Sequence, residues 1–220
     1  MTPSLPARVA AEFLGTLVLV LAVVGSGIMA SALSADRGVV LLGNTLSTIL
    51  VLAVLIYLFL PLSGAHFNPV VTAVMAWEKT LSWFHAASFI PAQIAGGIAG
   101  ALLANVVFDL PLVDLSTTDR VSAGTLMGEV IATAGLIMVI VVAVRRKQAN
   151  VLAWLVPAWI GAAYFFTSST SFANPAVTLG RMFSDTFAGI SPASAPGFIV
   201  AQVVGAAGGV ILAMIFAKRS

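Results

Sequence analysis

Ser171-Phe172-Ala173-Asn174-Pro175-Ala176-Val177 is an uncharged stretch in which one apolar run stops and another begins. Asparagine is a preferred N-cap and proline is favoured at the first helical position, so Asn174-Pro175 predicts a helix start. The first half of the chain carries a counterpart, Ser63-Gly64-Ala65-His66-Phe67-Asn68-Pro69-Val70. The apolar stretches that follow, 68–77 and 174–183, are too short to cross a bilayer, which takes about 20 residues. Irregular backbone at membrane depth survives only where protein buries it or it lines a wet cavity. The tripeptides Asn68-Pro69-Val70 and Asn174-Pro175-Ala176 therefore read as the tips of two half-helices meeting at a pore.

The membrane setting comes from composition. The 220 residues are 60% hydrophobic and 8% charged, with a mean hydropathy of +1.09; soluble domains carry about 25% charged residues. Six stretches are long and apolar enough to span: 7–32, 39–60, 84–108, 121–144, 150–168 and 196–217. The first has no charge from Phe13 to Ala35 and no small-residue cleavage pattern, so it reads as a retained span rather than a signal peptide. A net charge of +2 without a long basic run gives nucleic-acid binding no support. Without cysteine there is neither a disulfide nor a thiolate metal site.

The two halves repeat one another. Glu12 opens Glu-x-x-x-Thr with Thr16, and Glu129 opens the same pattern with Thr133. Next come the half-helix tripeptides, then Gln93 with Gly96 and Gly100, matched by Gln202 with Gly205 and Gly209. Three landmarks in one order predict an internal duplication, residues 1–110 and 111–220, forming one pore domain. Each half has three spans, an odd number, so the halves must be inverted; inverted repeats with broken helices place the site at the midplane. The fold class is thus an all-α membrane protein of six transmembrane helices and two half-helices. Basic residues favour one side, Arg8, Lys79, Arg145, Arg146, Lys147, Lys218 and Arg219 against Arg37, Arg120 and Arg181. The positive-inside rule then puts both termini in the cytoplasm.

Each singled-out residue also has a plainer reading. Asn68 and Asn174 present amide donors to a passing solute, or merely cap their own helices. Glu12 and Glu129, carboxylates within spans, suit either a proton relay or the holding of buried loop N–H groups, and the second is preferred. Gln93 and Gln202 suit the same loop-holding work. His66 is a pH-sensitive group or a hydrogen-bonded loop residue; His85 reads as interfacial. The two histidines lack nearby carboxylates and make no metal site. The small-x-x-x-small glycines permit close helix approach, preferably within the protomer.

These residues resemble one family, the major intrinsic proteins (aquaporins and aquaglyceroporins), over essentially the whole chain. The resemblance rests on Ala11-Glu12-Phe13-Leu14-Gly15-Thr16, on Ser63 to Val70, on Gln93 with its glycines and on Ala173-Asn174-Pro175-Ala176. It implies a passive channel, not an enzyme, without cofactor, for small neutral solutes and water, embedded in the plasma (inner) membrane as a homotetramer. It also implies loop-supporting roles for Glu12 and Glu129 and a place for His66 beside the pore entry. Water-selective relatives carry an arginine directly after the second Asn-Pro-Ala; here that position is Val177. Family spacing puts the other filter positions at Thr48, Ala162 and Ser171. All four being small, the resemblance implies a wide constriction with weaker cation exclusion, passing metalloid hydroxides (arsenite, antimonite, methylated arsenicals), as do the arginine-less relatives linked to arsenic handling. Absence of cysteine is compatible, since thiolates would trap such solutes. The alternatives are a glycerol and water facilitator and, from another class, an ion-coupled transporter using Glu12 or Glu129. Val70 in place of the first motif's alanine predicts slight narrowing. Arg181 either returns charge to the outer vestibule or, preferably, ends the half-helix beside Asp185.

Overall fold

The computed structural model describes residues 3–217, which form eight α-helices and, among them, no strand. The helices are α1 (Leu5–Leu33), α2 (Arg37–Phe59), α3 (Pro69–Trp77), α4 (Trp83–Val107), α5 (Ala123–Arg145), α6 (Leu152–Phe166), α7 (Pro175–Arg181) and α8 (Ala195–Phe216), with one 3-10 turn at Ala149–Val151 before α6. Six have the length and apolarity of membrane spans. The span limits read from sequence fall within two residues of the observed ones at every end. The half-helix expected over 174–183 stops at Arg181. Lys218 and Arg219, used to orient the chain, lie outside the described residues.

Large apolar side chains such as Leu50, Tyr57, Trp83, Phe84, Trp154 and Ile215 stand exposed on the outer surface. Water would not tolerate that coat, whereas hydrocarbon does, because the helices satisfy their own backbone groups.

Packing repeats between the halves: α1 lies along α4, and α5 along α8. Gly96 and Gly100 of α4 face the carbonyl oxygens of Phe13 and Leu17 so closely that a methyl group would overlap them. Gly205 and Gly209 of α8 stand in the same relation to Val130 and Ala134 of α5. The small-residue pairs thus serve helix contact inside one protomer. The buried ion pair of Arg145 with Glu78, two bonds of 2.9 Å, fastens the end of α5 to the end of α3.

Candidate functional site: a cavity between two half-helix tips

The half-helices start as their sequence dictates. Asn68 Oδ1 accepts from Val70 N at 3.1 Å, and Asn174 Oδ1 accepts from Ala176 N at 2.9 Å and Val177 N at 3.3 Å. Capping fixes each amide with its nitrogen turned the other way. Asn68 Nδ2 donates to Ala173 O and Asn174 Nδ2 to Phe67 O, both at 2.8 Å. The two readings of these asparagines therefore coexist: the oxygen caps, and the nitrogen crosses to the opposite half. An amide nitrogen has two donors, so each asparagine keeps one N–H beyond this bond.

The loops before the tips are held in unusual backbone. Ala65, Phe67, Ser171 and Ala173 have φ of 51°, 49°, 52° and 46°, left-handed values that side-chain-bearing residues rarely adopt. Such a conformation persists only where its surroundings over-determine it. Glu12 supplies the surroundings in the first half, accepting from Ser63 Oγ, from His66 N at 3.0 Å, from Phe67 N at 2.7 Å and from Gln93 Nε2 at 2.7 Å. Glu129 does so in the second, accepting from Phe172 N and Ala173 N at 2.9 Å and from Gln202 Nε2 at 2.6 Å. Each glutamine also donates to a half-helix threonine, Thr72 at 2.7 Å and Thr178 at 2.9 Å. All four side chains are fully buried.

Between the tips runs a cavity of about 510 Å³. Helical stripes line it: Leu19 and Val23 of α1, Thr48, Leu52 and Ile56 of α2, Leu136, Ile140 and Val144 of α5, and Leu152, Val156, Ile160 and Tyr164 of α6. Asn68 and Asn174 interrupt this aliphatic wall with polar groups. Arg8 and His66 lie towards one end, and Ser171, Phe172, Val177 and Arg181 towards the other. Glu12 and Glu129 are not among the lining residues, and no carboxylate is. A coupled transporter needs a carboxylate exposed to its pathway, and here both intramembrane carboxylates are spent on backbone.

Of the residues singled out from sequence, Thr48, His66, Asn68, Ser171, Asn174 and Val177 line the cavity. The hydroxyl oxygens of Thr48 and Ser171 are buried and have no hydrogen-bond partner among the described residues. His66 Nδ1 lies 3.1 Å from Thr72 Oγ1. Pro69, Val70, Pro175 and Ala176 are buried behind the wall; Val71, not Val70, faces the cavity, so the first-motif valine does not narrow it. His85 is half-exposed at the start of α4, against Ser82.

Two expectations need correction. Ala162 is exposed on the outward face of α6, and the cavity receives Ile160 and Tyr164 instead. Family spacing does not carry across the loop between α6 and α7, which contains left-handed Thr170, Ser171 and Ala173. The i, i+4 stripe Val156–Ile160–Tyr164 was the available signal. The wall near Val177 is therefore not uniformly small. Arg181 does not pair with Asp185, whose carboxylate accepts from Thr117 N at 2.9 Å and from the hydroxyls of Ser116 and Thr117. It lines the cavity instead.

Comparison with known proteins agrees with this geometry. The sequence pattern of the family described as Major intrinsic protein matches residues 2–173. The chain is similar to aquaglyceroporin AqpS of Rhizobium meliloti (strain 1021), 48% identical over 199 residues that cover 90% of this chain and 85% of the relative. It is also similar to aquaporin NIP2-1 of Oryza sativa subsp. japonica, 32% identical over 199 residues, 86% of this chain and 64% of the relative. The X-ray structure of the aquaglyceroporin from Plasmodium falciparum has the same fold, with a TM-score of 0.69 over 98% of this chain and 96% of that one, at 23% identity.

Proposed function

The chain belongs to the major intrinsic protein family and is an aquaglyceroporin-type channel for small solutes, not an enzyme; we propose that its preferred solutes are neutral metalloid hydroxides, arsenite and antimonite and their methylated forms. The observation that carries this is Val177, an aliphatic side chain in the cavity wall one turn past Asn174, where water-selective relatives hold an arginine. Pore width and lining donors set selectivity in such channels. The spare asparagine N–H groups offer hydrogen bonds to a trihydroxy solute, and the aliphatic stripes accept a methyl group.

We read residues 1–110 and 111–220 as inverted repeats around this pore, in the plasma (inner) membrane with both termini cytoplasmic, as a homotetramer with one pore per subunit. A glycerol and water facilitator is the second reading, favoured by the aromatic Tyr164 on α6. Stopped-flow entry of water, glycerol and trivalent arsenical into proteoliposomes separates them, with Val177→Arg alongside. Arsenical entry at least as fast as glycerol entry, lost first in Val177→Arg, supports the metalloid reading. Glycerol entry with arsenical excluded, or an unchanged size cutoff in Val177→Arg, refutes it.

A further inference from the structure

A pore without arginine after Asn174 is expected to admit cations, yet a second guanidinium stands in the same wall. Arg181 is the last residue of α7, four residues beyond Val177, about 6 Å along the helix. It is 3% exposed and lines the cavity. Its Nε donates to Ala188 O, and its guanidinium carbon lies 3.4 Å from the centroid of the Phe172 ring. Among the described residues the one hydrogen bond of its side chain is that of Nε, and the side chain is part of the cavity wall.

The mounting of this side chain is elaborate. The segment that follows α7 turns three successive carbonyls inward. Ala188 O receives Arg181, while Phe187 O and Gly189 O receive Arg120, at 2.8 and 2.6 Å. Arg120 also sits over Phe172, 5.4 Å from its centroid. Two guanidinium groups on one ring do not neutralise each other, and no carboxylate lines the cavity; Glu129 attracts both from behind the wall, but its oxygens are taken by loop N–H groups and Gln202. Asp185, the nearest acid along the chain, is occupied by Thr117 and Ser116.

We propose that Arg181 is the charge filter of this pore: it excludes cations and protons in place of the arginine that is absent at position 177, one turn further from the asparagines. This rests on the channel function above and adds to it a division of labour. Val177, Thr48 and Tyr164 set the width, and Arg181 sets the charge preference, so the channel admits bulkier solutes without leaking ions. A charge in a low-dielectric wall, only partly offset by Glu129 behind it, repels a like charge far more strongly than it would in water.

The experiment measures glycerol entry together with sodium and proton leakage in the same proteoliposomes. The unmodified protein passes glycerol with little ion leakage. Arg181→Gln raises the ratio of cation to glycerol flux by about tenfold or more, since each tenfold step corresponds to removing only about 1.4 kcal/mol of barrier. Arg181→Lys, which keeps the charge, restores a low ratio. The double variant Val177→Arg, Arg181→Gln also restores it while excluding larger solutes. Sodium leaking through the unmodified channel as fast as glycerol overturns the proposal, without any variant having to fold. So does a glycerol-conducting Arg181→Gln whose ratio is unchanged. Vesicles through which no neutral solute passes refute the channel function itself, a different result from either of these.

Discussion

Glu129→Gln tests whether the intramembrane carboxylates hold the loops. The contacts of Glu129 are donors, two from backbone, one from Gln202 and one from the Ser169 side chain, so both of its oxygens act as acceptors. Removing the side chain, as in Glu129→Ala, strands Phe172 N and Ala173 N in a buried site. An orphaned buried donor costs about 1–3 kcal/mol, so the pair costs about 2–6 kcal/mol. Gln202 loses less, because Thr178 still accepts from it at 2.9 Å. Glutamine at 129 keeps one acceptor oxygen but turns an NH2 group towards the other backbone N–H, so about half that cost is expected. Whole domains are stable by about 5–15 kcal/mol, so both changes are readable as earlier thermal unfolding in detergent, Ala more than Gln. Flux should fall with stability, because Ala173 O, the acceptor of Asn68 Nδ2, belongs to the freed loop. The equivalent change at Glu12 should cost about as much, since that carboxylate likewise takes two backbone N–H groups, a glutamine and a serine hydroxyl. A Glu129→Gln channel that melts with the parent and conducts normally refutes the loop-holding account. Were Glu129 a proton-transfer group, that variant would keep its stability and lose only a response to imposed proton gradients.

Two further changes probe packing and register. Gly205→Ala places a methyl group against Val130 O and Thr133, and overpacking of this kind costs about 1–3 kcal/mol, so a lower melting temperature is expected. Gly208→Ala is its control: the new methyl meets only Ala134 Cβ at 3.9 Å and should be neutral or slightly stabilising in the same assay. On α6, Tyr164→Ala should raise the largest solute admitted in stopped-flow assays, while Ala162→Phe, on the outward face, should leave the cutoff unchanged. Closure of the pore by Ala162→Phe would show that the α6 face has been assigned wrongly.

What could be read from sequence depended on whether a residue's role was decided locally. The spans follow from unbroken apolar length, and the half-helix starts from Asn-Pro, where cap and proline act within one turn. The Glu12/Gln93 and Glu129/Gln202 sets were visible because duplication wrote them twice. What could not be read was anything that crosses an irregular loop. Residues 167–174 carry three left-handed conformations, so family spacing does not fix the rotation between α6 and α7, and the cavity receives Tyr164 rather than Ala162. The same reason hid the setting of Arg181. Its spacing from Asn174 put it on the pore side of α7, but its partners come from 187–189, after the chain has folded back on itself. An arginine at a helix end with an aspartate four residues on looks like a solvated ion pair. Only the folded-back carbonyls, one of which takes Nε, turn that residue from a surface charge into part of the pore wall.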